Sequence, residues 1–412
     1  MTPEERRAFG ARVAQLRKQR GLKQDELAAA IDRTASWVSQ VERGVQPVVR
    51  LDVLQLLADG LGVSIQVLRP DAPQAAPVPP AVEVQPNDLD EARLLISGHP
   101  ALGVLLSPAQ ASEAPSMAEL SAAVAEVWEL THAARFSELS ATLGKVLPRL
   151  ERAARTVGPK DRQELHALLS QTYQALAAAF VRQDEADAAW VAADRSIRAA
   201  EQSGRPLHVF AGIFRLAQAF VRLKHLDQAE HAASSAVAVL KKHTAVDSPD
   251  PEALSVLGSL HLVLALVAAR AGQRDVAREQ LRNARRVASQ LGEDRNDFNL
   301  EFGPTNVEIQ AVSTAVDLGD AGEALEIGQG IDAGRLSPER RARLLMDLGR
   351  AHAQRRHAGE ALDCLLRAEE LAPETLRTHV AARATIRELA LVAGRGAPPE
   401  LLDLAERANA LE

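Results

Sequence analysis

Five times along this chain a small residue returns near the start of a helix-forming segment, and no other feature restricts the fold as much. The positions are Ala186 in DEADAAW, Ala229 in LDQAEHA, Ala277 in RDVAREQ, Ala324 in AGEALEI and Ala361 in AGEALDC, separated by 43, 48, 47 and 37 residues. Each copy reads as a helix, a short polar turn and a second helix. A small side chain is needed where the two helices of such a pair cross closely. A lone helical pair cannot bury its apolar face, so copies must stack on one another into a continuous core. Composition agrees: 46% of the residues are hydrophobic but only 3% aromatic, which favours helices packed through Ala and Leu over a sheet. The expectation is an all-α chain.

A proline-rich bridge divides the sequence. Pro70 to Pro86 reads PDAPQAAPVPPAVEVQP, with six prolines in seventeen residues. Proline lacks the amide donor and fixes φ, so this stretch is expected to be an extended linker. We therefore divide the chain into 1–70, a linker over 71–86, and 87–412. Residues 1–70 carry 11 Lys+Arg against 8 Asp+Glu, a net +3, which leaves −10 of the total −7 for the remainder. Such an imbalance is compatible with nucleic-acid binding by the small unit only. The single cysteine, Cys364, excludes an intramolecular disulfide and a cysteine-rich metal site. The N-terminus lacks the apolar run of a signal peptide, and no stretch reads as the ~18 apolar residues of a membrane helix, so a cytoplasmic protein without a membrane partner is expected.

The first unit reads as five short helices. Phe9, Val13 and Leu16 form one apolar stripe, ended by Gly21; Leu27, Ala28 and Ile31 mark a second helix; Val53, Leu54, Leu57 and Leu61 a fourth; SIQVL a fifth. Between the second and fourth lies ASWVSQVERG, with Thr34 placed to cap its first turn. At 100° per residue Val38 and Val41 fall inward beside Glu42, while Arg33, Ser36, Gln40 and Arg43 gather on the opposite face. None of those four is acidic. Gln and Ser can hydrogen-bond base edges in the DNA major groove, and Arg can pair with phosphate or guanine. Trp37 lies on the flank, where packing on the neighbouring helix is the simpler role.

LRKQRGLKQDELA, then WVSQVERG, then VLQLLADGLGVSIQVL resemble the phage-repressor-like helix-turn-helix regulators of the XRE type over roughly Phe9 to Leu68. The resemblance implies that Gln24 fixes the backbone near a phosphate, that Thr34, Ala35, Ser36, Ser39 and Gln40 lie in the recognition helix with its base-facing positions, and that Arg43 approaches the phosphodiester. It also implies a buried ion pair between Arg17 and Glu42. Two departures stand out: Asp32 and Arg33 occupy a turn that is often Gly and an apolar residue, and Lys23 sits where Ser or Thr often caps the second helix.

The second unit is similar to tetratricopeptide repeats, with HAGEALDCLLRAEELAP the most typical copy, ended by Pro373. An earlier copy is expected around ARFSELSATLGKVLPRLERA and a degenerate last one around APPELLDLAERANAL. Six or seven pairs are thus expected to stack into a right-handed superhelix with a concave face. DLDEARLLI reads as a helix without an evident place.

Motifs for catalysis are not found. FGPTNV is no phosphate loop, and His225 and His231, six apart, do not share a helix face as metal ligands would. No enzyme activity, cofactor or metal is expected. DRNDFNLEFGPTNVEIQ concentrates Phe298, Asn299, Phe302 and Asn306 in an aromatic-poor chain. One reading has these four line an effector pocket together with Tyr173, Phe214 and Arg215. The other makes the run an inter-repeat loop with Pro304 opening a helix and Phe302 as a packing staple. The expected function is a DNA-binding transcriptional regulator on double-stranded DNA, homodimeric on a palindromic operator. Its repeats would dimerise it or sense a peptide, small molecule or protein partner; architecturally this resembles the peptide-sensing repeat regulators of Gram-positive bacteria. The alternative is an interaction scaffold or enzyme-inhibiting partner that uses the small unit for docking.

Overall fold

The computed structural model describes residues 3–68, 89–98 and 116–411, apart from positions 32, 47, 49, 50, 64, 247, 248, 333 and 335. The chain forms two compact units, Met1–Gln85 and Pro86–Glu412. The proline-rich segment and Asp32 lie outside the described residues.

Among its described residues the small unit has five helices: α1 (Pro3–Gln19), α2 (Gln24–Ala30), α3 (Ala35–Glu42), α4 (Leu51–Leu61) and α5 (Ile65–Leu68). Its core joins Phe9 and Val13 to Leu27, Ile31, Val38, Val41, Leu54, Leu57, Leu61 and Leu68. Gly10 allows α1 to cross α3 closely, since a Cβ there would stand 2.3 Å from the Val41 carbonyl oxygen. Gly21, at φ +70°, ends the first helix in the left-handed region that glycine adopts without cost.

In the large unit the first helix among the described residues is α6 (Asp90–Ser97). The sequence offered no place for it; it lies on the first repeats, with Leu89, Ala92 and Ile96 in their core and the Ala92 amide donating to Ser140 Oγ at 3.1 Å. Seven pairs follow among the described residues: α7 (Met117–His132) with α8 (Phe136–Thr156), α9 (Pro159–Arg182) with α10 (Ala186–Ser203), α11 (Pro206–Arg222) with α12 (Leu226–His243), α13 (Pro251–Arg270) with α14 (Arg274–Leu291), α15 (Pro304–Asp317) with α16 (Ala321–Gln329), α17 (Pro338–Gln354) with α18 (Ala358–Leu371), and, after a short α19 (Pro373–Thr378), α20 (Val380–Ala393) with α21 (Pro399–Arg407).

Six of these pairs turn in the same way. The residue two before the second helix has positive φ: Ala134, Asp184, Lys224, Gly272, Gly319 and Arg356, at +57° to +80°. The next amide then donates back across the end of the first helix, from Arg135, Glu185, His225, Gln273, Asp320 and His357 to Leu130, Phe180, Phe220, Ala268, Ala315 and His352, at 2.8–3.0 Å. This six-to-one bond satisfies a carbonyl that the helix end leaves free. The fourth residue of each second helix then meets the first: Leu139, Ala189, Ala229, Ala277, Ala324 and Ala361 are all 0% exposed. The crossing residue of the second pair is therefore Ala189, not Ala186, which opens α10 and is half-buried.

The superhelix closes on its own beginning. Phe136, Leu176 and Phe180 share one core with Met346, Leu365 and Leu376. The Glu374 carboxylate takes the Phe136 amide at the head of α8, Gln183 Nε2 donates to the Glu374 carbonyl at 3.1 Å, and Thr378 Oγ1 donates to the Arg182 carbonyl at 3.0 Å. One expectation needs correcting here: α13 is long and apolar enough to cross a membrane, with mean hydropathy 1.9, but 89% of that stretch is buried inside the fold. It is the central core helix of the repeats, surrounded by α11, α12, α14 and α15.

Candidate nucleic-acid interface and repeat-domain cavity

Helix α3 is held from below by charge. Arg17 Nε meets Glu42 Oε1 at 2.5 Å, its Nη1 donates to the Leu22 carbonyl at 2.6 Å, and Gln24 Nε2 donates to Glu42 Oε2 at 2.6 Å. Burial works to raise the Glu42 carboxyl, but the Arg17 and Gln24 donors outweigh it and hold it below the usual range. Through this bond the Gln24 side chain, half-buried at the start of α2, braces the recognition helix. Lys23, in place of a hydroxyl cap, lets the Glu26 carboxylate take its own amide at 2.7 Å.

Thr34 Oγ1 accepts the Trp37 amide at 3.2 Å and caps α3. Arg33, Ala35, Ser36 and Arg43 are exposed, and Ser39 and Gln40 partly so. Trp37 packs partly on the core, with the Arg33 guanidinium 6.0 Å from its ring centroid. The outward face therefore presents hydroxyl, amide and guanidinium groups and no carboxylate.

The pocket residues fall into four groups. Phe298 and Asn299 line a cavity of about 580 Å³ with Trp128, Gln171, Gln174, Arg205, Pro206, Leu207, His208 and Glu252. Arg215, 2% exposed, lies behind that wall: its Nη2 donates to the Asn299 carbonyl at 2.8 Å and its guanidinium stands 5.5 Å from the Trp128 ring centroid. Phe214 is buried beside it, with its ring centroid 5.1 Å away, and belongs to the core. Phe302 and Asn306 do not reach the cavity. Phe302 is 0% exposed and fills the space above Gly258, where a Cβ would come within 1.9 Å of its ring; the staple reading is the one the geometry follows. Asn306 Oδ1 accepts from Arg340 Nη1 at 3.0 Å. Tyr173 lines a different cavity, of about 640 Å³, with Glu151, Arg155, His166, Arg195 and Arg198, and its hydroxyl donates to Glu151 at 2.7 Å.

The loop that carries Phe298 is locally strained and tightly tied. Phe298, Asn299 and Glu301 all have positive φ, +49° to +55°, which costs non-glycine residues of order 1 kcal/mol each. Arg295 Nε holds Asp297 at 2.7 Å, Ser255 Oγ donates to Asp297 at 2.6 Å, and Arg340 holds both Glu301, at 3.1 Å, and the Leu300 carbonyl, at 2.9 Å.

Sequence reasoning missed the residues of α7, α9 and α17 around this loop. Arg182 meets Glu339 at 2.9 Å with side chains 7% and 0% exposed. Burial opposes the Glu339 carboxylate, but Arg182 and Arg343 overcome it and bring its pKa down to about 2. His132, on the turn of α7 below Trp128, is lowered to about 4, first by burial and then by Arg182 and Arg215, against the opposing pull of Glu301 and Glu339. Burial, with Arg182 and Arg340 adding to it, also holds Arg215 well below the ordinary arginine range. Only the rarity of tryptophan, three in the chain, marks Trp128 in the sequence; the charged residues look like any solvated helix face. Among the described residues no cluster of His, Cys, Asp and Glu could hold a metal ion.

Comparison with known proteins gives a family match and several structural likenesses. No curated protein matches the chain. The crystal structure of Bacillus thuringiensis PlcR in complex with the peptide PapR7 and DNA is 13% identical, over 92% of this chain and 99% of that one, with TM-score 0.33. A Rap protein complexed with competence and sporulation factor is 14% identical, over 72% of this chain and 88% of that one, with TM-score 0.45. Likenesses of that size assign no residue a role. The family described as a helix-turn-helix domain matches residues 8–72, the span of α1 to α5, and the N-terminal unit is a helix-turn-helix domain.

Proposed function

We propose that the protein is a sequence-specific DNA-binding transcriptional regulator whose repeat unit takes an effector in the cavity behind Phe298. The supporting observation is the outward face of α3, where Ser36 and Gln40 offer base-reading groups and Arg33 and Arg43 offer phosphate partners. One recognition helix reads only a few base pairs. Useful specificity therefore calls for a homodimer on a palindromic site, with half-sites about 34 Å or a multiple of it apart. The role is binding, without a catalytic step, and its place is the cytoplasm where the DNA lies.

Selection from random duplexes followed by footprinting tests this reading. The parent protein is expected to enrich a two-fold symmetric sequence. Gln40→Ala lowers affinity for that sequence by about 1–3 kcal/mol while leaving non-specific binding nearly intact, and Arg43→Ala weakens all sequences and reduces the salt slope by about one. If no sequence is enriched and both variants match the parent, the reading falls.

A further inference from the structure

The large unit is acidic as a whole, yet one side of its first repeats is basic. We propose that this side is a second DNA-contacting surface, which grips phosphates of the duplex flanking the site read by α3. The proposal deepens the regulator reading and rests on it. Residues 145–162 carry six Lys and Arg against two Asp and Glu, a net +4, whereas everything beyond residue 70 totals −10. On α8, Lys145, Arg149 and Arg152 recur at i, i+4 and i+7, so they stand on one face of the helix, and all three are exposed. Lys160 and Arg162, at the start of α9, are exposed too. The ion pairs in this part of the chain are those of Glu138 with Arg135, Glu151 with Arg155 and Glu164 with Arg205. None of the five cations has a carboxylate partner among the described residues.

The basic side continues into the neighbouring recess. Arg155, Arg195 and Arg198 line the cavity of about 640 Å³; Arg198 pairs with Asp194 on its own helix at 3.0 Å, and Arg195 donates to the Ile96 and Gly98 carbonyls. Glu151, on the same lining, already accepts from the Tyr173 hydroxyl at 2.7 Å and faces Arg155 at 3.5 Å. Burial first, and the Arg162 charge second, hold His166 of that lining below the usual histidine range, so the cations of α8, α9 and α10 surround one region.

The chemistry of the face selects its partner. Lys145 to Arg152 covers about 10 Å of helix at 1.5 Å per residue, a length over which one strand of a duplex presents about three phosphates. Long cationic side chains suit phosphates, which ask for charge and reach and carry no sequence information. None of the exposed large hydrophobic residues lies on α8 or α9. A protein partner is commonly anchored by aromatic side chains and a membrane surface by inserted Trp, Phe or Leu, and this face offers neither among the described residues. A duplex held by α3 presents further phosphates to the same molecule at high effective concentration, so a second contact adds affinity without adding base reading.

The test uses the full chain and the sequence enriched by selection, placed in one duplex that just covers the footprint and in another extended by about 20 base pairs, two helical turns, on each side. A variant carrying Lys145→Gln, Arg149→Gln and Arg152→Gln is compared with one that removes the same charge elsewhere, by Lys241→Gln, Lys242→Gln and Arg282→Gln, all exposed on α12 and α14. The parent should bind the extended duplex at least tenfold more tightly than the short one. The α8 variant should lose that gain, its salt slope on the extended duplex falling by about 2–3, while its preferred sequence, its affinity for the short duplex and its melting temperature stay as in the parent. The variant on α12 and α14 should keep the gain. The inference is overturned if the extension gives the parent no gain, if the α8 variant keeps the gain, or if the other variant loses it equally, which would assign the effect to net charge. The α3 variants separate the two readings. If Gln40→Ala and Arg43→Ala bind DNA as the parent does while the α8 variant does not, the reading of α3 falls and the α8 surface stands. If selection enriches no sequence, a random-sequence duplex of the extended length is the probe, and the same loss in the α8 variant is required.

Discussion

The two units of the molecule treat buried charge in opposite ways. Among its described residues the helix-turn-helix unit buries the ion pair of Arg17 with Glu42 and satisfies it with Gln24 and the Leu22 carbonyl. The repeat unit buries a set: Arg182 with Glu339, Arg340 with Glu301, Arg350 with Asp317 and Asp347, and Arg215 with no carboxylate. A buried pair gives little net stability over an apolar one, because desolvation consumes most of the attraction. In the small unit the pair fixes the angle of α3 against α1. In the large unit the charges join distant repeats, since Arg182 is on the second pair and Glu339 on the sixth. The lesson is that the same chemistry orients a helix in one place and ties distant repeats together in the other.

The largest expected break in this comparison is Glu339→Ala. It leaves Arg182 buried without its carboxylate and should cost about 3–5 kcal/mol, read as a loss in the urea unfolding transition of the repeats. Arg17→Ala should cost of the order of 3 kcal/mol by the same reasoning, confined to the small unit. Trp37 fluorescence in a Trp128→Phe, Trp190→Phe background follows that unit separately. A transition shared by both units in either variant would show that they do not unfold independently.

Acidity should sharpen the contrast. All eleven histidines lie beyond residue 98. His132 is lowered to about 4, while His208, His261 and His379 are lowered too, mainly by burial. A histidine with a folded pKa below its unfolded value of about 6.5 binds protons more readily when unfolded, so stability is full above pH 6.5 and falls as the pH drops toward the folded value. The repeats are expected to lose about 1–2 kcal/mol between pH 7 and 5 on account of His132, with the small unit unchanged; His132→Gln should flatten the slope. The carboxylates come next. With its pKa near 2 against about 4.5 unfolded, Glu339 keeps its stabilising effect until the pH falls below about 4.5.

The smallest effects concern the shared turn. Lys224→Gly relieves a left-handed side chain and should stabilise by about 0.5–1 kcal/mol, whereas Gly272→Ala introduces one and should destabilise by a similar amount. Thermal unfolding checks both signs. Equal effects of one sign would mean that the turn's positive φ is not what limits it.

Much of this was legible in the residues. The apolar stripe of α1, the Thr34 cap, the inward Val38 and Val41, and the Arg17–Glu42 pair implied by the family resemblance stand where the sequence put them, because spacing along one helix fixes which side chains share a face. The repeat register was off by three residues at Ala186, since an alanine-rich stretch offers several candidates and only the turn identifies the fourth position of the helix. Of the residues expected to line one pocket, Phe298 and Asn299 share a cavity, Phe214, Arg215, Phe302 and Asn306 lie outside its lining, and Tyr173 lines another. Trp128 and His208 lie 170 and 90 residues before Phe298 in the chain, and no periodicity links them.

By itself the sequence determined the local choices: helices, their caps and turns, the division at the proline-rich segment, and the polar outer face of α3. These depend on neighbours within a few residues. The tertiary structure alone decided that the repeats close on their first pair, that α13 is a core helix rather than a membrane span, and that Arg215 is buried without a carboxylate. Those outcomes depend on contacts between residues tens to hundreds apart, whose energies are set by burial, and burial exists only once the helices have stacked.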